Sequence, residues 1–407
     1  MRYGRLVIVL LAAVLMAGCE METARTFGDD LEFLKQHTDV LVLADAEGKA
    51  QVAVVPAWQG RVMTSTAGGA GGAGFGWINR ELIASGRIEA HVNAYGGEER
   101  FWMGPEGGQF SIFFAEGAEF NLDNWRTPAV IDTEPFELVS QTNTMATFRR
   151  LTRLTNYSGA IFDVQINRSV KLLPADSHAW ALGADIPETI KAVAFQTDNS
   201  ITNKGAKAWT KKTGLLSIWI LGMFNSSDDT TVVVPFEPGP DSELGPKVND
   251  EYFGKVPADR LIVADDVLFF NCDGQYRSKI GLSPKRAKPI LGSYDAAGRV
   301  LTIVQYTKPE GATDYVNSMW ELQDKPFAGD VVNSYNDGPP EPGAKPLGPF
   351  YELETSSPAA ELKPGETLSH MHRTFHLQGP EKDLDSIARA TLGVSLDEIK
   401  SAMPKTR

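Results

Sequence analysis

The chain has 407 residues, 42% of them hydrophobic, with 38 glycines, 24 prolines and a formal net charge of −13. An acidic surface of that size repels phosphate backbones, so nucleic acid is excluded as an expected partner and neutral or cationic small molecules are favoured. Two cysteines, Cys19 and Cys272, are too few for a disulfide framework, and Cys272, after the apolar run 267–270, reads as a buried inert thiol. The length admits two or three average domains, but no composition break marks a linker, and one large domain is expected.

Residues 1–18 read as a secretory signal peptide. Arg2 and Arg5 give a cationic start, an apolar run extends from Leu6 to Met16, and small residues precede Cys19. The run is shorter than the roughly 20 apolar residues of a membrane span. Met16-Ala17-Gly18-Cys19 resembles the bacterial lipobox. That resemblance implies cleavage before Cys19, diacylation of its thiol and attachment to a membrane through the lipid, leaving Cys272 without a disulfide partner. Cleavage removes two arginines and no acid, which moves the formal charge from −13 to −15. Glu20, where an Asp would be the retention signal, resembles lipoproteins sorted to the outer membrane. The expected address is the bacterial cell envelope, lipid-anchored at the outer membrane and facing the periplasm.

Residues 19–39 then form the lipidated N-terminus and a short amphipathic helix over Thr26–His37, in which Phe27, Leu31, Phe33 and Leu34 alternate with Asp29, Asp30 and Glu32. Val40–Leu43 and Gln51–Val55, separated by Asp45-Ala46-Glu47-Gly48, predict a hairpin. Ala67–Gly76 is glycine-rich but lacks the Lys-Ser/Thr of a phosphate-binding loop and reads as flexible. The same strand grammar recurs at 110–114, 136–140, 146–154, 161–173, 179–185, 215–224, 230–236, 260–270, 288–294, 300–306, 319–323, 350–355 and 368–377. Asp337–Pro349, with five prolines and three glycines, is too proline-dense for a ladder and reads as a stiff connection. Helices are expected only at the ends, the last two over Asp383–Leu392 and from Ser395, whose Glu398 three residues on makes a capping box; both lie in a C-terminal segment, 381–407, expected to lie on the sheet. So many short strands without intervening helices predict an all-β sandwich or barrel.

Three stretches carry a family likeness. Phe350-Tyr351-Glu352-Leu353-Glu354-Thr355 with Leu362-Lys363-Pro364-Gly365-Glu366 and Thr374-Phe375-His376-Leu377 resembles the closing strands and turn of aldose 1-epimerases. Val54-Val55-Pro56 with Gly60-Arg61-Val62, and Leu154-Thr155-Asn156 before Ile166-Asn167-Arg168, resemble the opening and mid-chain strands of the same galactose mutarotase-like superfamily. The segments 96–109 and 214–224 look like a bacterial lipoprotein family within it for which no activity is established. The resemblance implies a β-supersandwich over residues 40–380 with a concave face that binds carbohydrate. It also implies that Glu354 is the general base, deprotonating an anomeric hydroxyl. The family's histidine acid has no counterpart, because no histidine occurs between His178 and His370.

The candidate site follows. Glu352 and Glu354, two apart, share one strand face about 7 Å from each other, and paired acids raise one another's pKa. His370 and His372 share a face by the same parity and could assist catalysis or together bind a metal, whereas His376 lies too far along to join them. Arg100, Trp102, Glu106 and Gln109, among glycines, combine an aromatic face for a pyranose ring with partners for hydroxyls, which suits a substrate-binding loop. Trp219, in an apolar run, reads as sheet core. The expectation is a lipid-anchored, carbohydrate-active protein binding a mono- or oligosaccharide, with acid/base chemistry at a sugar carbon. The alternatives are a non-catalytic glycan-binding lipoprotein and a metal-assisted hydrolase or lyase built on the histidine pair. No cofactor is implied, and no residue pattern speaks to the oligomeric state.

Overall fold

The computed structural model describes residues 25–404, so the expected signal peptide and Cys19 lie outside the described residues. Helix α1 (Phe27–His37) starts where expected. Thr26 caps it through the Asp29 backbone N–H, and Asp29 reaches back to the Thr26 backbone in a reciprocal capping box. The strands are β1 (Leu41–Ala44), β2 (Gln51–Val55), β3 (Arg61–Thr66), β4 (Arg100–Gly104), β5 (Glu137–Gln141), β6 (Met145–Thr155), β7 (Ile161–Leu172), β8 (Lys191–Asn203) and β9 (Ser217–Asn225). They continue with β10 (Thr230–Pro235), β11 (Leu261–Val263), β12 (Val267–Asn271), β13 (Ser278–Leu282), β14 (Ile290–Asp295), β15 (Val300–Tyr306), β16 (Val332–Asn336), β17 (Phe350–Ser356) and β18 (Thr367–Gln378).

These strands form a three-stranded sheet β1-β2-β3, a ten-stranded sheet ordered β11-β12-β10-β14-β15-β18-β8-β7-β6-β5, and a five-stranded sheet ordered β13-β16-β17-β9-β4. Neighbours pair antiparallel throughout, as in the ladders β15–β18, β18–β8 and β17–β9. The ten- and five-stranded sheets face one another. Ile218 and Ile220 of β9 and Phe101 and Met103 of β4 meet Phe148, Ile166 and Phe195 of the large sheet in one core cluster. Leu353, Tyr351 and Ile280 meet Val232, Leu291 and Val304 in the next. This is the expected all-β sandwich.

The outer face of the large sheet is half covered. Helices α5 (Glu381–Leu392) and α6 (Leu396–Ala402) lay Leu384, Ile387, Leu392, Leu396 and Ile399 on Val233, Leu301, Ile303, Phe375 and Leu377. The Ser395–Glu398 capping box opens α6 as expected.

Four local expectations fail. Residues 179–185 are not a strand: α3 (Ala175–Leu182) starts after Pro174, whose fixed φ suits a helix entrance, and ends at Gly183, whose φ of 69° no strand would adopt. A further helix, α2 (Arg80–Ser85), capped by the Asn79 side chain, also lies away from the ends, with a short turn of helix, α4 (Asp241–Leu244), after Pro240. Residues 110–114 and 319–323 are irregular, with their aromatic side chains packed as loop anchors, Phe114 against Trp320 at 5.1 Å between centroids. Conversely β4, β13 and β16 are strands where none was expected, and all three belong to the five-stranded sheet.

Candidate active site

The side chains of a strand alternate between the faces of its sheet. On the five-stranded sheet one face carries Phe101, Ile218, Ile220, Leu353 and Ile280 into the core, so the other carries Arg100, Trp102, Trp219, Glu352, Glu354, Asn333, Tyr335 and Lys279. Register brings these into rows, because Glu354 lies opposite both Asn333 and Leu221, and Leu221 lies opposite Arg100. Over this face is a cleft of about 910 Å³. Its floor includes Trp219, Lys279 and Asn333. Its walls come from the segment after α2, the turn at Tyr252 and Phe253, the loop 316–321 and the proline-rich strap after β16.

Lys279 is the centre of the floor. Its Nζ donates to Glu354 Oε2 at 2.9 Å and lies 4.9 Å from the Trp219 ring centroid and 5.5 Å from that of Tyr252. Trp219 Nε1 donates to the same Glu354 oxygen at 3.0 Å, while Oε1 is buried and has no hydrogen-bond partner. Two residues along β17, Glu352 accepts from Arg100 Nη2 at 3.0 Å. Burial pushes the Glu352 carboxyl up, and the neighbouring Glu354 charge adds to this against the opposing pull of Arg100. Arg100 in turn lies 4.3 Å over the Trp102 ring.

Glu106 closes the site from the loop after β4. Its Oε1 accepts from Trp320 Nε1 at 3.2 Å, and its backbone N–H donates to Ser318 Oγ at 3.1 Å. Burial pushes the Glu106 carboxyl up to about 7; the Glu354 charge adds to the rise, while Lys279 and the Trp320 hydrogen bond oppose it. A third acid, Asp330, accepts from Tyr252 Oη at 2.6 Å and from Asn249 Nδ2 at 3.0 Å, and burial raises its pKa as well. The Asp330 carboxylate occupies the space a Cβ would need at position 281, so Gly281 on β13 is required by that close approach. The arrangement can hold a proton on one carboxyl while a second, beside a lysine, accepts one, within aromatic walls that suit the apolar faces of a ring.

Glu354, Glu352 and Arg100 lie on the same face of the five-stranded sheet and Glu106 on the loop over it, but of the four only Glu106 lines the cleft; the other three are buried. Trp102 does not reach the cleft: it is 4% exposed and lies under Trp219, with ring centroids 5.6 Å apart. Gln109 is not a lining residue either. It clips the loop carrying Trp320, donating to Gln323 O at 2.8 Å and accepting from Gln323 N at 2.9 Å. His370 and His372 are on the wrong side altogether. They project from β18 of the large sheet into the sandwich interior, where His370 Nε2 and His372 Nδ1 each lie 2.9 Å from Thr355 Oγ1, on the face of β17 opposite to Glu354. Burial drives His370 down to about 3 and lowers His372 as well, the neighbouring His370 and Arg168 adding to the fall, so both are neutral. Their parity on one strand was read correctly, but parity does not say which sheet the strand joins. No group of three or more His, Cys, Asp or Glu side chains that could hold a metal ion occurs among the described residues.

The sequence reading missed Lys279, Tyr252, Asp330, Asn333 and Trp320; Trp219 is buried in a core cluster as expected, but it also lines the cleft. The available signal was parity: Trp219 is out of phase with Ile218 and Ile220, and so points to the opposite face of β9.

The chain belongs to a family of unknown function (DUF6786), whose profile matches residues 25–403. None of the curated proteins matches it in sequence. Similar solved structures include the Slr1438 protein from Synechocystis sp. PCC 6803, at 13% identity and a TM-score of 0.49 over 84% of this chain and 96% of that one. A galactose mutarotase-like protein from Lactobacillus casei is similar at 11% identity and a TM-score of 0.47, over 83% of this chain and 100% of that one. A galactose mutarotase related enzyme from Lactobacillus acidophilus is similar at 10% identity and a TM-score of 0.43, over 83% and 97% of the two chains.

Proposed function

We propose that this member of the family binds a saccharide in the cleft and moves protons on it, with Glu354 as base and Glu106 as acid. What carries the reading is the grouping of Glu354, Lys279 and Glu106 between Trp219, Tyr252 and Trp320. In the reaction this suits best, Glu354 takes the proton of an anomeric hydroxyl, a C1=O bond forms, the bond from C1 to the ring oxygen breaks, and that oxygen takes the proton of Glu106. Closure on the other face of C1 reverses each transfer. Glu106 supplies the acid that the missing family histidine would have supplied, and its elevated pKa keeps the proton in place near neutral pH.

The test is anomer interconversion followed by exchange NMR for D-glucose, D-galactose, D-mannose and reducing disaccharides. Catalysed exchange that is lost in Glu354→Gln and Glu106→Gln supports the reading. Saturable binding without exchange would favour a glycan-binding role instead, a reading to which one observation already lends weight, since Glu354 Oε2 is engaged by two donors from within the protein.

For residues preceding those described, we propose cleavage before Cys19, lipidation there and residence at the outer membrane, on the lipobox resemblance. Intact-mass measurement of the mature chain should find a diacylated Cys19, and Cys19→Ala should leave the membrane fraction; an unmodified Cys19 would overturn this.

A further inference from the structure

The cleft changes character with depth. At its floor the lining is buried and charged: the Lys279 side chain is 12% exposed, and its ion-pair partner Glu354, which does not itself line the cleft, is 0% exposed. Nearer the mouth, among the exposed ion pairs Lys345–Glu81 and Arg87–Glu89 that also line it, three large apolar side chains lining the same cleft are open to solvent: Leu122 at 60%, Leu347 at 53% and Phe253 at 46%. They come from three separate segments, the loop before Trp125, the proline-rich strap and the turn after Tyr252, so the apolar rim is not one stray loop. Pro340 and Pro346 of the strap line the cleft beside them. A bare sugar satisfies the floor, where aromatic rings and carboxyls meet its two kinds of surface, but offers nothing to leucines at the entrance. Apolar surface left in water at a binding site is a driving force that a matching ligand would use.

We infer that the ligand is a saccharide carrying an apolar substituent remote from its reacting carbon, with the sugar ring on the Trp219–Lys279 floor and the substituent against Leu122, Leu347 and Phe253. The inference rests on the carbohydrate reading above and narrows its substrate class. The substituent must lie away from the anomeric carbon, because that carbon needs its free hydroxyl to meet Glu354.

Calorimetric titration of D-glucose, D-galactose and D-mannose, each beside its 6-O-octanoyl and 6-O-benzoyl esters, tests it, with 1-octanoylglycerol as the sugar-free control. At least one ester should bind tenfold or more tightly than its parent sugar, and the octanoyl and benzoyl arms distinguish a chain from an aromatic ring. Leu122→Ser combined with Leu347→Ser should erase that gain and leave the affinity of the parent sugar unchanged, which also shows that the variant is folded. Equal affinity of ester and parent, or a gain that survives in the variant, would overturn this inference and leave the carbohydrate reading standing. Binding of the octanoylglycerol as tight as that of the octanoyl ester would overturn it too, and absence of binding by every sugar and ester would overturn both.

Discussion

The two large sheets treat polar residues in opposite ways. On the ten-stranded sheet, β7 alternates almost without fault, with Phe162, Val164, Ile166, Val170 and Leu172 buried and Gln165, Asn167 and Ser169 toward water. On the five-stranded sheet, β4 and all of β17 before its last residue are buried on both faces, and one of those faces is charged. Where one face of a sheet is wet, its polar residues are cheaply solvated. Where loops cover that face, each charged side chain needs a partner, and here the partners are one another: Arg100 with Glu352, Lys279 with Glu354. Such a layer has little reason to exist for stability alone, because buried ion pairs gain little over apolar packing. The sandwich interior holds such a pair too, Arg168 with Glu99, so what singles out the smaller sheet is that its charged face lies beside a cleft lined by Lys279 and Glu106.

The sharpest test of that division is at Glu354. Glu354→Gln is expected to lower kcat by about 10²–10⁴-fold, the usual share of a general base. It also leaves Lys279 without its ion-pair partner, so melting temperature should fall as well; adding Lys279→Met should recover stability without recovering turnover, measured by thermal unfolding and exchange NMR. Recovered turnover would break the assignment of the base.

The counterpart on the scaffold side is Arg168. It is buried in the sandwich, bonds Asn199 Oδ1 at 2.7 Å and pairs with Glu99 at 2.9 Å, with both side chains 0% exposed. Arg168→Met strands the Glu99 charge and should cost about 3–5 kcal/mol in denaturant unfolding. Sugar affinity measured well below the new midpoint should not change; a change would mean the two sheets are not separable in this way.

A pH series sharpens the comparison further. Because the native pKa of Glu106 is raised to about 7, the folded state holds a proton that the unfolded state loses near its ordinary value. The resulting stability is fully present below that ordinary value and is lost as pH rises through about 7, by at most about 3 kcal/mol. Glu106→Gln should flatten this slope, and on the proposed reaction kcat/KM of the unaltered protein should fall above about pH 7 as the acid deprotonates. Smallest of all should be Arg149→Ala on the exposed face of the large sheet. Its pair with Glu137 is solvent-exposed, and the loss should stay within about 1 kcal/mol.

The same contrast explains how much could be read from the residues alone. The alternating strands of the large sheet, the hairpin β1–β2 and the capped helices α1 and α6 were legible, because each has a local cause. The family likeness around 350–358 and the polar, aromatic composition of 93–109 pointed to Glu354, Glu352, Arg100 and Glu106, of which only Glu106 lines the cleft. β13 (Ser-Lys-Ile-Gly-Leu) and β16 (Val-Asn-Ser-Tyr-Asn) were not, since a polar residue on a buried face looks like a loop, and with them went Lys279 and Asn333. His370 and His372 misled for a different reason. A strand that lines a sandwich interior can carry neutral, hydrogen-bonded imidazoles as packing, and only the sheet order shows that β18 lies in the sheet away from the cleft.

That sheet order also sets a timetable. β18, the last strand of the sequence, lies in the middle of the large sheet, between β15 and β8; all twelve of its residues pair with β8, and His372–Gln378 pair with β15 as well. Until Thr367–Gln378 has been made, β8 and β15 each present an unpaired edge, and the halves β5–β8 and β10–β15 of the large sheet have no ladder between them. A chain emerging N-terminus first can therefore form hairpins early but can close its sandwich only near the end of synthesis, when contacts distant in sequence become available. Such a polypeptide stays open until almost all of it exists.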